Sequence, residues 1–162
     1  MKKFIPTFYK HDIFSIDYNY LKSIGITNII YDIDNTLAKE LKSPDKSVID
    51  LISRLKNDGF NICLLSNNNI FRVEPVGKIL GVDYIHTAIK PKKTGFKKAL
   101  LNMKCNADNT IMIGDQILSD IVGANRIGMR SILVDPISKK EAPWTKVRRP
   151  LEHVIKSKFI QY

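Results

Sequence analysis

The chain has 162 residues and 44% hydrophobic content, enough for one domain with a sizeable core. Its formal net charge of +10 marks a basic protein and favours anionic partners, whether phosphorylated substrates, nucleic acid or acidic lipid, without choosing among them. Two cysteines, Cys63 and Cys105, exclude a disulfide scaffold and point to a reducing cytosol, and no apolar run of about eighteen residues offers a membrane span. The opening MKKFIPTFYKHD starts like an export signal, but its apolar part breaks at Pro6 and Thr7 and ends at Lys10, too short for that role. Residues 1–25 then read as an apolar-rich arm without a clean period, in which Asp17 caps a short helix stopped by Gly25.

The first strand spans 26–33 and runs into the stretch IIYDIDNTL, residues 29–37. Alternate side chains of an extended segment point the same way, so Asp32 and Asp34 are crowded together at the strand end. Such crowding calls for a cation or a shared proton, and an Asp- and Asn-rich surface turn is the plain alternative. After Ser43-Pro44 the residues Val48, Leu51, Ile52 and Leu55 make one helix face, with Gly59 as the stop. Residues 60–65 form a second strand that ends in Ser66-Asn67-Asn68-Asn69, and a helical stretch interrupted by Pro75 runs to Gly81. A third strand over 82–88 ends at Ile89-Lys90-Pro91, and Thr94 is expected to cap a helix with Phe96, Ala99, Leu100 and Met103 on one face. A fourth strand at 110–113 ends in Gly114-Asp115. Ser119 or Asp120 opens a helix closed by Gly128, and a fifth strand covers 131–134.

Five apolar strands alternating with helices predict an α/β fold, a doubly wound parallel sheet of about five strands covered on both faces. Ligands in such sheets bind beyond the carboxyl ends of the strands, where Asp32 and Asp34, Ser66 and Asn67, Lys90, and Gly114-Asp115 all stand. The expected organisation is an arm at 1–25, a core at 26–136 and a basic tail at 137–162.

The strings DIDNT, LLSN, IKPKK and GDQILSD, in that order at those strand ends, resemble the haloacid dehalogenase superfamily of aspartate-nucleophile phosphatases. YDIDNTL, SNNN, KP and GDQILSDIVGANRIG with the basic tail are similar, more narrowly, to the YqeG-type phosphatases of subclass III, over about residues 21–155. Phosphoester chemistry needs a nucleophile, a proton donor for the leaving oxygen and positive charge around phosphorus. Asp32 is the candidate nucleophile and Asp34 the candidate acid and base, one ionised while the other carries a proton. Mg2+ suits hard oxygen ligands. The resemblance implies the Asp32 carboxylate, the Asp34 backbone carbonyl and the Asp115 carboxylate as its ligands. Asp120 holds the metal through a water or orients its shell, or else is an ordinary helix cap. Ser66 through its hydroxyl and Asn67 through its N–H are candidates for gripping phosphate, and Lys90 for offsetting its charge, with Lys92 and Lys93 as rivals for that lysine. His11, His86 and His153 fit no metal spacing and read as structural or surface residues.

The gaps between Asp34, Ser66 and Lys90 hold one helix and then a helix plus a strand, too little for a lid, so the site is expected to be open. Residues 90–104 carry six lysines and no acid, and 137–162 carry seven Lys or Arg against Glu141 and Glu152. Val147, Leu151, Val154 and Ile155 form a helical stripe there, which either packs on the domain or lies on anionic lipid. Relatives of the YqeG type include mitochondrial phosphatases of phosphatidylglycerophosphate, which implies a lipid head group as one candidate substrate and peripheral contact with a cytoplasmic membrane face. Soluble phosphometabolites, nucleotides, transfer to an alcohol instead of water, and a non-catalytic module holding a phospho-ligand or RNA are the other readings. RNA lacks support from any basic motif interleaved with aromatic residues.

Overall fold

The computed structural model of the chain describes residues 2–138. Six strands, β1 (Phe8–Lys10), β2 (Asn28–Tyr31), β3 (Asn61–Leu65), β4 (Asp83–Ile85), β5 (Thr110–Gly114) and β6 (Arg130–Val134), form one parallel sheet in the order β1-β6-β5-β2-β3-β4. The helices are α1 (Tyr18–Ser23), α2 (Lys46–Asn57), α3 (Ile70–Leu80), α4 (Lys93–Met103) and α5 (Val122–Asn125), the last entered through a π-helical turn, Ile117–Ile121.

Strand alternation explains why the strands read as continuous apolar runs. Ile29 and Tyr31 of β2, with Ile62, Leu64, Ile111 and Ile113, pack against Leu21, Leu51, Leu55 and Val76 of the first three helices. Ile30, Cys63, Leu65 and Met112 point to the other face and pack against Phe96, Ala99 and Met103 of α4 and Ala124 of α5. Both faces are therefore covered, as a parallel sheet requires. Among the described residues no helix is long and apolar enough to cross a membrane.

The sheet has one strand more than the sequence pattern predicts. The extra strand comes from the arm, where Phe8, Tyr9 and Lys10 pair with Ile132, Leu133 and Val134. Three residues are too few to show a period, and their pairing is set by β6 and by distant bonds: Thr7 Oγ1 accepts from the Ser131 N–H (3.0 Å), and the Tyr9 hydroxyl donates to Asp135 (2.6 Å). Asp17 caps α1 by accepting from the Tyr20 N–H, as its position predicts. Thr94 caps nothing, because α4 already begins at Lys93. The helix around Pro75 continues unbroken from Ile70 to Leu80, with Pro75 on its exposed side. The basic tail beyond residue 138, with His153 and its apolar stripe, lies outside the described residues.

Tyr31, the last residue of β2, is fully buried, and its hydroxyl lies 2.7 Å from that of Tyr18, which donates to the Ile13 carbonyl (2.8 Å). Burial pushes the Tyr31 hydroxyl well above the usual tyrosine range, so the pair stays neutral. Tyr31→Phe removes one buried hydrogen bond, and should lower unfolding free energy by about 1 kcal/mol in urea titration while leaving the fold intact.

Candidate active site

Three strands deliver the centre of the site at their carboxyl ends. Asp32 follows β2, and its N–H donates to the Ile113 carbonyl of β5 (2.9 Å). Asp115 follows Gly114 at the end of β5, and Asp120 sits inside the π-helical turn, fully buried, where its Oδ2 accepts from the Gln116 N–H (3.1 Å). Oxygens of Asp32, Asp115 and Asp120 all lie within 4.8 Å of one another. Lys90 comes from the loop after β4 and donates from Nζ to Asp32 Oδ1 (2.6 Å) and Asp120 Oδ1 (2.7 Å). Thr36 Oγ1 donates to Asp115 Oδ1 (3.2 Å).

Three buried carboxylates thus face one ammonium. Burial pushes Asp32 up to about 6, although Lys90 draws it down, with Asp120 and Asp34 adding to the rise. Burial, and then the charges of Asp32 and Asp120, hold Asp115 well above the usual carboxylate range against the opposing pull of Lys90 and Thr36. Burial on its own would lower Lys90, but Asp120 and Asp32 outweigh it and keep the ammonium protonated. The cluster therefore carries excess negative charge in a dry setting, to be met by protons or by a cation. Its donors are all hard oxygens, a set that fits a divalent cation of the magnesium kind.

Asp34 is placed differently from the extended pattern expected of it. The strand ends at Tyr31, so strict alternation does not reach Asp34, and its carboxylate stands outside the three-carboxylate cluster. Asp34 Oδ1 accepts from Arg72 Nη2 (2.7 Å) and Nε (3.1 Å) and from the Leu41 N–H (3.2 Å), while Oδ2 accepts from Asn68 Nδ2 (2.6 Å). Ser66 is buried at the end of β3, with its Oγ accepting from the Asn68 N–H (3.1 Å). The Asn67 side chain clamps the backbone of Lys90, donating to its carbonyl (3.1 Å) and accepting from its N–H (2.6 Å), a positioning task the sequence reading had not given it. Lys92 and Lys93 are exposed, so Lys90 alone of the three lysines enters the cluster. Asp120 is no helix cap of the ordinary kind, since it lies within the turn and faces Lys90. His11 and His86 bond to Asp135 and Thr87, away from the cluster.

Arg72, Asn68 and Thr36 are site residues that the sequence reading missed. A signal for Arg72 was present: a cation in the first turn of a helix opposes the helix dipole, so its position needs another partner, here Asp34.

A family model described as haloacid dehalogenase-like hydrolase matches residues 29–90, and a second, HAD-hydrolase-like, matches 88–157. The "Probable phosphatase YqeG" of Bacillus subtilis (strain 168) is 34% identical over 157 residues, covering 96% of this chain and 91% of that protein. The chain belongs to the haloacid dehalogenase-like hydrolases. Phosphatidylglycerophosphate phosphatase 1, chloroplastic, of Chlamydomonas reinhardtii is 29% identical over 150 residues, 86% of this chain but 56% of that protein. An uncharacterized protein from Listeria monocytogenes serotype 4b shares the fold with a TM-score of 0.57 at 22% identity, over 73% of this chain and 85% of that one. Together with the 34% identical relative, membership of this family makes the chain a phosphatase of the hydrolase class.

The cluster depends on Gly114, where a Cβ would collide with the Asp120 carboxylate. Gly114→Ala should displace Asp120 and with it Lys90, lowering turnover of an aryl phosphate by roughly a hundredfold while circular dichroism stays native. The raised carboxyls also fix a pH response. In chelator the folded state holds a proton on Asp32 up to about 6, above the ordinary 3.8, so this contribution to stability is present at low pH and is lost as pH rises through 6. The melting temperature in chelator should fall by about 5 °C between pH 5 and 7.5, and divalent cation should restore it at pH 7.5 more than at pH 5, as calorimetry would show.

Proposed function

We propose that the chain is a Mg2+-dependent phosphomonoester hydrolase that works through an aspartyl-phosphate on Asp32. The observation that carries this reading is the unequal burial of the cluster. Asp32 and Asp115 keep a small exposed surface at the carboxyl edge, whereas Asp120 is sealed beneath them against Lys90. A nucleophile has to be reached by phosphorus; a group that fixes a lysine does not.

In this mechanism Asp32 attacks the phosphorus, the bond from phosphorus to the ester oxygen breaks, and Asp34 gives its proton to the departing oxygen. Asp34 then takes a proton from the water that attacks the aspartyl-phosphate, which releases inorganic phosphate and regenerates Asp32. Lys90 and the Ser66 hydroxyl offset and hold the phosphoryl oxygens, and Asn67 keeps Lys90 in place. Asp34 is ion-paired with Arg72 in the resting state, so proton delivery calls for Arg72 to turn toward the incoming phosphate and for Asp34 to take its proton from solvent. When bound by the Asp32 and Asp115 carboxylates and the Asp34 backbone carbonyl, Mg2+ supplies positive charge that lets one anion approach another.

The substrate we propose is an exposed phosphate on a large or anchored molecule, with phosphatidylglycerophosphate first. The name of the Chlamydomonas relative and the absence of a covering domain among the described residues support that choice. Free Cys63 and Cys105 fit a reducing cytoplasm, and we propose that compartment, with action at the membrane face.

A panel of phosphate esters, including lipid phosphates in mixed micelles, tests this with wild type and Asp32→Asn in parallel. Wild type should act with Mg2+ and stop in chelator, and Asp32→Asn should lose at least about a thousandfold. Full activity in that variant would refute the mechanism. Hydrolysis confined to soluble sugar phosphates or nucleotides would replace the lipid by a small metabolite.

A further inference from the structure

The carboxyl edge of the sheet carries a second feature beside the carboxylates. Of the ten large hydrophobic side chains exposed among the described residues, five stand at that edge: Leu41 in the loop after β2, Ile70 and Phe71 in the first turn of α3, Ile89 in the loop before Lys90, and Ile137 after β6. Hydrogen bonds tie these loops to the site. The Leu41 N–H donates to Asp34, the Ile137 N–H donates to the Asn35 carbonyl (3.0 Å), and Arg72, next to Phe71, holds Asp34. Phe71 is 86% exposed and Leu41 73%. Isolated apolar side chains are ordinary on a protein surface, but a set of them around one opening marks a contact.

Backbone conformation points the same way. Leu41 and Ile89 have φ of 57° and 55°, in the left-handed region that suits glycine or asparagine and strains a β-branched residue such as Ile89. Neither side chain gains burial among the described residues in return. Apolar side chains turned to solvent at strained positions beside the site supply a second mark of a contact surface there.

Charge selects the partner. Exposed Lys39, Lys42, Lys92 and Lys93 share these loops with exposed Glu40 and Asp45, and the whole chain carries +10. A second copy would bring the same positive charge and would cover the carboxylate cluster. An anionic bilayer brings the opposite charge and accepts the apolar side chains, and each lysine near its surface strengthens binding about fivefold.

We propose that these loops form a docking surface that seats the mouth of the site on an anionic lipid bilayer, with Leu41, Phe71 and Ile89 in the acyl boundary and the lysines among the head groups. This deepens the reading of the site as one for anchored phosphate esters and rests on that reading for its purpose. The contact itself does not depend on turnover.

The test is flotation of the full chain with phosphatidylglycerol vesicles and with phosphatidylcholine vesicles, without substrate, for wild type, Phe71→Ser/Ile89→Asn and Asp32→Asn. Wild type and Asp32→Asn should float with phosphatidylglycerol and not with phosphatidylcholine. The double variant should bind at least tenfold more weakly, melt no lower than wild type because asparagine suits the φ of residue 89, and turn over a soluble aryl phosphate within twofold of wild type. Undiminished binding by the double variant, or no binding by wild type, would overturn the proposal. So would a wild-type dimer that the double variant converts to monomer with neither binding vesicles, since that result assigns the face to a second copy. Vesicle binding without turnover of any ester would leave docking standing and sink the hydrolase reading, and turnover without vesicle binding would do the reverse.

Discussion

Lys90 bridges two buried carboxylates, and the rest of the site is arranged around the imbalance this leaves. One ammonium cannot neutralise Asp32, Asp115 and Asp120, and burial raises the cost of every unpaired charge. The fold accepts that cost at the carboxyl edge of a sheet whose two faces are densely apolar. Replacing the cluster with well-packed hydrophobic residues would remove a liability for folding, so its presence is explained by chemistry and not by stability.

Support for Lys90 comes from the neighbouring loop after β3. Asn67 bonds both backbone groups of Lys90, while the N–H groups of Ala88 and Thr87 donate to the carbonyls of Ser66 and Asn68. The loops after β3 and β4 therefore behave as one unit, and the lysine side chain is aimed by backbone bonds from a neighbouring strand end. Gly114 contributes by having no side chain, which lets the Asp120 carboxylate lie against the strand.

The parallel sheet and the clustering of Asp32, Lys90, Asp115 and Asp120 at one edge of it were legible in the sequence because both leave strong local marks. Apolar runs such as NIIY and TIMIG predict strands buried on two faces, and polar residues at their carboxyl ends mark the ligand edge. The sixth strand left no mark, since Phe8–Lys10 owes its pairing to β6 far along the chain. The partners of Asp34 were hidden for a related reason: Asn68 and Arg72 lie 34 and 38 residues away, and only the packing of α3 brings them near. The cap at Asp17 was readable and the start of α4 was not, because a side-chain cap is a local bond and Lys92 makes none.

The edge strand β1 also bears on how the chain is assembled. Tyr9 reaches Asp135 across 126 residues, and Thr7 reaches Ser131 across 124. A strand made first is thus completed last, after β6 has left the ribosome. Until then Phe8 and Tyr9 have no sheet to join, and the edge of β6 has no neighbour on that side. Contacts of such long sequence separation close late and slowly. Strand β1 therefore closes the edge of a sheet whose other strands already pair without it, while α1, from the same arm, packs locally on β2.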